Sequence, residues 1–426
     1  MNNIATKQID KGQFLILSLM FLVNPTLGLI LSIFIVINAE DDYDTNRSEI
    51  MAFLVTTAVW ISLINITKTI SGDQGFYTRT FLKVPEAGFY DTVFNAWGGT
   101  GKEPAFSCIT WLLYWISFGS VRLYYFILSF SIYILHYLAA YKLFKKMDVP
   151  KGALICGVLV LTFFSQYFVM TLQVIRQMLA GGIVIYAIVY RAVEGENNWV
   201  LLILAVLIHT SAAFLAGLSI IPWFYSWMNM KRIVITLGCF VPIVVFNGVI
   251  GNLFGGSTGI SALDYGLSTY GKTGYSDGGE INISIILLVF VPLFIVSIKI
   301  LTNYYHESKE DESEDESDDM VSDKCILSIN YICILLMIFV LSFTKSPLVQ
   351  YRFFYYSYSF IPLLLPLLFV KVPWNKPYWT LSSLFFIIRF FVTHNTSGWR
   401  YAPLSEIFSS TIYYFWTGNF HWMYLL

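Results

Sequence analysis

The sequence predicts an all-α polytopic integral membrane protein with roughly 11–13 transmembrane or re-entrant helices, since a bilayer requires about 20 apolar residues per span. Of its 426 residues, 57% are hydrophobic and only 12% are charged, whereas an ordinary soluble domain carries about 25% charged residues. Apolar runs recur from end to end, and the alternating pattern of an outer-membrane barrel is absent. We therefore expect one membrane domain over residues 1–426.

Two apolar runs have lengths that do not suit a plain membrane span. Run 104–118 is short, and run 199–227 is too long for one span and too short for two. His209 lies near the middle of the long run, which predicts either a broken, re-entrant pair of helices or one long tilted helix. A weaker amphipathic stretch covers 407–426. The runs cover residues 14–37, 51–67, 104–118, 121–144, 152–172, 177–193, 199–227, 233–254, 282–303, 325–343, 353–371 and 378–393.

Lysine and arginine in the short loops predict the orientation, because cytoplasmic loops carry an excess of both. The segment Tyr141–Lys151 is the strongest cytoplasmic signal. It places an acidic loop at 304–324 inside and loops at 255–281 and 394–406 in the periplasm. Within the acidic loop, the segment Glu307–Asp323 holds ten acidic residues and one lysine, whereas the rest of the chain has 25 basic against 17 acidic residues. Its composition predicts disorder, either as a solvated linker or as a regulatory segment.

No motif in the chain predicts a metal, a cofactor or a nucleic-acid partner. The five cysteines form no CxxC pair and are read as small buried hydrophobic residues. There is no Walker A, HExxH or GxSxG motif. The DxD-like Asp42–Asp44 lies in an acidic loop with no nucleotide-binding pattern around it, so we interpret it as chance.

Five ionisable residues stand next to or inside apolar runs, where charge is costly and usually functional. They are Asp73, Glu103, Arg176, His209 and Arg352. Two arginines on one face indicate a bound anion, and guanidinium binds phosphate through two hydrogen bonds. In a membrane that anion would be a lipid phosphate or pyrophosphate at the outer headgroup level.

Each of these residues also has a plainer interpretation. Glu103, directly before Pro104, suits the first turn of a helix. His209 could be a satisfied core histidine, and Arg352 could extend to the interface. Arg176 is predicted on a turn between two spans, a position that would need no buried partner; the small residues after it, 180–182, would allow close approach.

With these residues in view, the chain resembles the EpsG/Wzy-like family of bacterial O-antigen, capsule and exopolysaccharide polymerases. Five short elements in order carry the resemblance: Gly72, Asp73 and Tyr77; Glu103 and Pro104; Ile175, Arg176, Gln177, Leu179 and Ala180; His209, Ser211 and Ala212; Arg352 and Tyr355. The resemblance implies a GT-C-like membrane fold.

Two features depart from the family pattern. Lys68 is the only cation near the first of the five elements, where the family has an arginine. The acidic loop resembles an insertion.

The resemblance implies an oligosaccharide repeat-unit polymerase in the bacterial inner membrane. Such an enzyme transfers a growing glycan from undecaprenyl pyrophosphate to the non-reducing-end hydroxyl of a lipid-linked repeat unit at the periplasmic face. A flippase and a chain-length regulator would be partners. An O-antigen-type ligase, a lipid-linked oligosaccharide flippase and a membrane O-acyltransferase stay open as alternatives. The implied catalytic candidates are Asp73, His209 and Glu103, and the implied substrate-binding residues are Arg176, Arg352, Tyr77, Gln177 and Tyr355.

Overall fold

The computed structural model describes residues 11–39, 42–68, 70, 72–95, 103–221, 238, 283–310, 318–342, 347–370, 375–394 and 402–417. The structure is 87% helical, and the described residues form no strand. This confirms the predicted all-α class. The helices of the described residues are α1 (Lys11–Val23), α2 (Pro25–Asn38), α3 (Arg47–Asn65), α4 (Asp73–Leu82), α5 (Val84–Tyr90), α6 (Pro104–Ile116), α7 (Val121–Lys146), α8 (Lys151–Thr162), α9 (Ser165–Gln173), α10 (Ile175–Glu194), α11 (Trp199–Ile208), α12 (Ala212–Ile220), α13 (Ile283–Glu310), α14 (Asp318–Ser342), α15 (Pro347–Ser357), α16 (Ile361–Leu364), α17 (Asn375–His394), α18 (Leu404–Ser409) and α19 (Ile412–Thr417).

Within the described residues, four helices are long and apolar enough to cross a membrane: α3, α7, α10 and, in α14, residues Lys324–Leu341. The pair α8 and α9 adds a fifth span if it is counted as one crossing, although it is bent by 58°. The chain is thus a multi-pass membrane protein. The central helix α7 packs against α3 on one side and α10 on the other, and this row of three helices connects the two ends of the molecule.

Two apolar runs that we predicted as single spans are broken. Run 14–37 divides at Asn24, whose side chain accepts hydrogen bonds from the backbone N–H groups of Thr26 and Leu27 at 2.9 and 3.1 Å. Pro25 occupies the first position of α2, where a missing N–H costs nothing. Run 152–172 ends one helix at Thr162 and begins the next at Ser165. Tertiary packing and capping override apolar length in both places.

Run 199–227 is broken at His209, as the re-entrant interpretation requires. Helix α11 ends at Ile208 and α12 begins at Ala212. The structure describes no residue between 222 and 282 except 238, so the predicted run 233–254 and the loop 255–281 lie outside the described residues. Run 353–371 forms α16 between two 3-10 turns, Tyr358–Phe360 and Pro366–Phe369, and not one long helix.

The predicted acidic loop at 304–324 is helical at both of its ends. Helix α13 continues to Glu310 and α14 begins at Asp318, while 311–317 lies outside the described residues. Glutamate and lysine are good helix formers, so the two apolar helices extend into the acidic segment where we expected disorder. In the predicted loop 394–406, α17 ends at His394 and α18 begins at Leu404, and 395–401 lies outside the described residues.

Candidate functional site

Glu103 is the centre of a buried polar cluster. Its backbone adopts the left-handed conformation, with φ 55° and ψ 52°, directly before Pro104. It occupies the N-cap of α6, yet its side chain makes no capping hydrogen bond. One carboxylate oxygen instead accepts from the Arg176 guanidinium and the other pairs with Nδ1 of His209. Glu103 thus stands at the helix terminus, as its plainer interpretation expects, but its side chain contacts Arg176 and His209 and does not cap the helix.

His209 occupies the break between α11 and α12, with only 8% of its side chain exposed. Its Nδ1 faces Glu103, and its Nε2 is buried with no hydrogen-bond partner among the residues that the structure describes. When a neutral imidazole donates Nδ1–H to a carboxylate, Nε2 carries the lone pair and accepts a proton. His209 is thus not a satisfied core histidine, and its free nitrogen has the chemistry of a base.

Arg176 lies in the first turn of α10 with 18% of its side chain exposed. Besides its ion pair with Glu103, its Nε donates to the Tyr77 hydroxyl at 3.3 Å, and the guanidinium lies 5.4 Å from the centre of that ring. The expectation that Arg176 needs no buried partner is wrong. Helix α4 and the start of α6 bring Tyr77 and Glu103 to the end of α10, which sequence spacing does not reveal.

Arg352 and Asp73 form a second, looser pair beside the first. Arg352 Nη2 is 3.9 Å from an Asp73 oxygen, with 26% and 52% of the two side chains exposed. Gln177 follows Arg176 in α10 and connects the two pairs, because its Nε2 donates to the Arg352 carbonyl. Its Oε1 has no hydrogen-bond partner among the described residues. Arg352 also acts electrostatically on His209. The interface-snorkelling interpretation of Arg352 does not fit this contact.

The structure places Tyr355 away from the Glu103 contacts. Its ring packs against Tyr351 and Tyr358, with centroids 4.5 and 6.0 Å apart, and only 3% of the residue is exposed. The next residue, Tyr356, reaches the segment between α11 and α12, since its hydroxyl is 2.8 Å from the Ser211 hydroxyl. Tyr356 ties α15 to the His209 break.

The charges in the site balance, and the carboxylate at its centre stays ionised. Burial raises the pKa of Glu103, but His209 and Arg176 together lower it by more, to about 2. Two carboxylates, Asp73 and Glu103, face two guanidinium groups, so each arginine already has an anionic partner. The pair of Arg352 with Asp73 is the longer and the more exposed of the two. Within the described residues, no three His, Cys, Asp or Glu side chains are arranged to hold a metal ion.

Comparison with known families now identifies the chain. The model of the EpsG family matches residues 49–405, a range that includes every residue of the cluster. The chain belongs to the EpsG family. The family resemblance predicted from five short elements is thereby confirmed, and it indicates a polysaccharide-polymerase-like protein. No curated protein and no solved structure matches the chain.

Sequence reasoning missed one polar residue of this EpsG-family protein that borders the site. Gln173 ends α9 and is 8% exposed, and its Nε2 has no partner among the described residues. A Cβ on Gly72, where φ is +54°, would lie 3.0 Å from its Oε1, so Gln173 borders the turn that begins at Gly72 and leads to Asp73. A glutamine between apolar residues in Thr171–Val174 was the available signal.

Lys68, the cation nearest to the first family element, points away from the site. It is 2% exposed, donates to the Phe168 carbonyl, and lies 3.8 Å from the centre of the Phe168 ring. A lysine held by a carbonyl and a ring anchors the end of α3 to α9. The structure therefore gives it a packing role and no contact with Glu103 or Asp73.

Proposed function

We propose that this chain is a glycosyltransferase-type polymerase that moves a growing glycan from undecaprenyl pyrophosphate onto a lipid-linked repeat unit. The transfer would take place at the periplasmic face of the bacterial inner membrane. The observation that carries the proposal is the unpartnered Nε2 of His209, buried and oriented by Glu103. Family membership supports the reaction class.

The proton step follows from the Glu103–His209 pair. The hydroxyl of the incoming unit gives its proton to Nε2 of His209, and its oxygen forms the new bond to the anomeric carbon of the donor. Glu103 fixes the tautomer that leaves Nε2 unprotonated and stabilises the imidazolium that forms, as a buried carboxylate does for a catalytic histidine. Glu103 is thus a positioning residue, and His209 is the base.

The leaving group requires cations at the other end of the reaction. As the bond from the anomeric carbon to the pyrophosphate oxygen breaks, its electron pair stays on that oxygen, and preorganised cations stabilise the charge. Arg352 suits this role because its contact with Asp73 is long enough to be exchanged for a phosphate. Arg176 holds Glu103 and Tyr77 in place and adds positive potential.

The test replaces His209 with glutamine in a cell that lacks its own copy of the gene. We expect His209→Gln to leave the protein in the membrane but to abolish long surface glycans on a gel, with a single repeat unit remaining on the lipid. The matched control is His136→Gln, because His136 is equally buried but both of its nitrogens have partners at 2.8 Å.

The outcomes separate the alternatives. Long glycans from His209→Gln at normal protein abundance would remove His209 as the base. In a strain without the protein, lipid-linked units trapped on the cytoplasmic side would indicate a flippase. Full-length polymer that stays on undecaprenyl pyrophosphate, and never reaches a second lipid acceptor, would indicate a ligase.

A further inference from the structure

A cavity lies near the opposite end of α10 from the candidate functional site. It has a volume of about 800 Å³ and opens between the first turn of α3, the second half of α7 and the last turns of α10. Arg176 and Glu194 stand at the two ends of α10, about 27 Å apart at the helical rise. The cavity is therefore remote from Glu103 and takes no part in the proposed transfer.

The rim of this cavity carries four cations, Arg47, Lys142, Lys145 and Lys146, against two lining carboxylates, Asp148 and Glu194, so it is basic on balance. Lys142 and Lys145 pair with Glu194 and Asp44, which are 45% and 75% exposed. Arg47 and Lys146 also line the cavity and form no ion pair within the described residues. Such exposed ion pairs are weak, so the four cations of the rim can all turn towards an anion.

The floor of the cavity is apolar. Met51 lies one turn below Arg47, and Leu138 lies two turns below Lys145, which makes the cavity about 10 Å deep along the helix axis. Tyr141 lies about one turn below Lys145, and Tyr186 lies about two turns below Glu194, near the depth of Leu138. Tyrosine is enriched near the membrane interface. An occupant must accordingly be anionic at one end and apolar at the other.

We infer that this cavity binds an anionic phospholipid of the adjacent leaflet, with the phosphodiester at the basic rim and the start of an acyl chain on the apolar floor. Helices α3, α7 and α10 are each long and apolar enough to cross the membrane, which would put their ends at headgroup depth and the floor just below it. Basic pockets between transmembrane helices recognise acidic lipid headgroups in this way. Inorganic phosphate would fill only the rim and would leave Met51 and Leu138 without an apolar partner.

The test titrates the purified full-length chain in neutral detergent with phosphatidylglycerol or phosphatidylcholine and counts bound lipid by native mass spectrometry. We expect phosphatidylglycerol to bind more tightly than phosphatidylcholine. Arg47→Gln/Lys146→Gln should weaken it about 30-fold, since each cation near an acidic headgroup contributes about 1 kcal/mol. The control, Lys299→Gln/Lys376→Gln, removes two lysines that do not line the cavity and should bind like the parent.

A second variant tests the floor without changing any charge. Leu138→Phe places a larger side chain on the floor and narrows the space for an acyl chain, so it should weaken phosphatidylglycerol binding several-fold. Three results would overturn the proposal: equal binding of the two lipids, full phosphatidylglycerol binding by Arg47→Gln/Lys146→Gln, or displacement of the lipid by millimolar inorganic phosphate with no effect of Leu138→Phe. Both variants alter partly or fully exposed side chains, and a single symmetric peak in size-exclusion chromatography establishes that they fold.

Discussion

At the residue scale, the site depends on a glutamate held in an unfavourable backbone conformation. A non-glycine residue in the left-handed region costs about 1–3 kcal/mol, and Glu103 pays this directly before a proline, where an extended backbone is usual. Contacts with Arg176 and His209 compensate for the strain. In this conformation both carboxylate oxygens of Glu103 contact Arg176 and His209 and make no hydrogen bond to the helix terminus.

Glu103→Gln should destabilise the protein in a pH-dependent way. Because the pKa of Glu103 is depressed, its charge contributes stability that is complete above about pH 4.5 and is lost as the pH falls towards 2. The corresponding free energy is about 3 kcal/mol. Thermal unfolding in detergent should show the full difference between parent and variant at pH 7 and a smaller one at pH 3. The control is Glu86→Gln, at an exposed glutamate. A stability difference between the parent and Glu103→Gln that does not change with pH would contradict an ionised Glu103 paired with Arg176.

Arg176→Lys should impair polymerisation although it keeps the positive charge. The guanidinium contacts Glu103 and Tyr77 at the same time, whereas an ammonium cannot span both in the same geometry. A lost hydrogen bond to a charged group costs about 1.5–3 kcal/mol, so transfer should fall about tenfold or more. Surface-glycan length on a gel, beside membrane abundance, measures it.

Tyr77→Phe is a milder change to the same contact than Arg176→Lys. It removes the 3.3 Å bond to Nε and leaves the Glu103 ion pair, so the loss of transfer should be smaller than for Arg176→Lys. Long glycans from Arg176→Lys at normal abundance would remove the guanidinium from the mechanism. A larger effect of Tyr77→Phe would mean that the tyrosine acts directly on substrate.

The members of the cluster were predictable, but their pairing was not. A charged side chain in an apolar run is conspicuous, and this singled out Arg176 and His209 from the sequence alone. That both contact Glu103 depends on segments 73 and 106 residues away in the chain, and no local pattern reports such a contact. Sequence also does not reveal which of two adjacent tyrosines reaches the His209 break: Tyr356 does, while the substrate-binding role of Tyr355 stays a prediction.

At the element scale, the sequence does contain a signal for the break between α1 and α2, but the apolar length of run 14–37 favoured one continuous helix. Asn before Pro is a strong start for a helix, and Asn24 caps α2 while its Nδ2 donates to the Phe408 carbonyl at 2.7 Å. The break at Phe163–Phe164 has no such signal. It depends on distant aromatic residues, since Phe163 packs against Phe390 and Phe164 against Tyr358.

Asn24→Ala should destabilise the hairpin of α1 and α2. Loss of a cap costs about 1–2 kcal/mol, and the variant also leaves the Phe408 carbonyl without this donor. We expect a lower thermal midpoint in detergent. Asn38→Ala is a suitable control, because Asn38 is exposed and bonds only within its own helix, to Phe34. Equal midpoints for the two variants would show that the cap does not hold the break.

At the scale of the whole molecule, α10 connects two regions with different electrostatics. Its first turn belongs to a charge-balanced cluster, and its last turn forms part of a basic cavity. The sequence indicated both ends, through Arg176 and through the lysines of Tyr141–Lys151. It did not indicate the cavity, because α3 lies about a hundred residues earlier in the chain than the part of α7 that it faces.

Gly157→Ala should damage stability and transfer together. A Cβ at Gly157 would collide with the Pro362 carbonyl, and backbone cannot rotate away as a side chain can. The α16 segment would have to move from α8, at a cost of about 3 kcal/mol, and α15 with Arg352 lies just before it in the chain.

The control is Gly181→Ala, also buried in a helix, whose Cβ would be 3.5 Å from Tyr356, an ordinary contact. Thermal midpoints and glycan length should fall for Gly157→Ala alone; if both variants behave alike, close packing of α8 on α16 does not position Arg352.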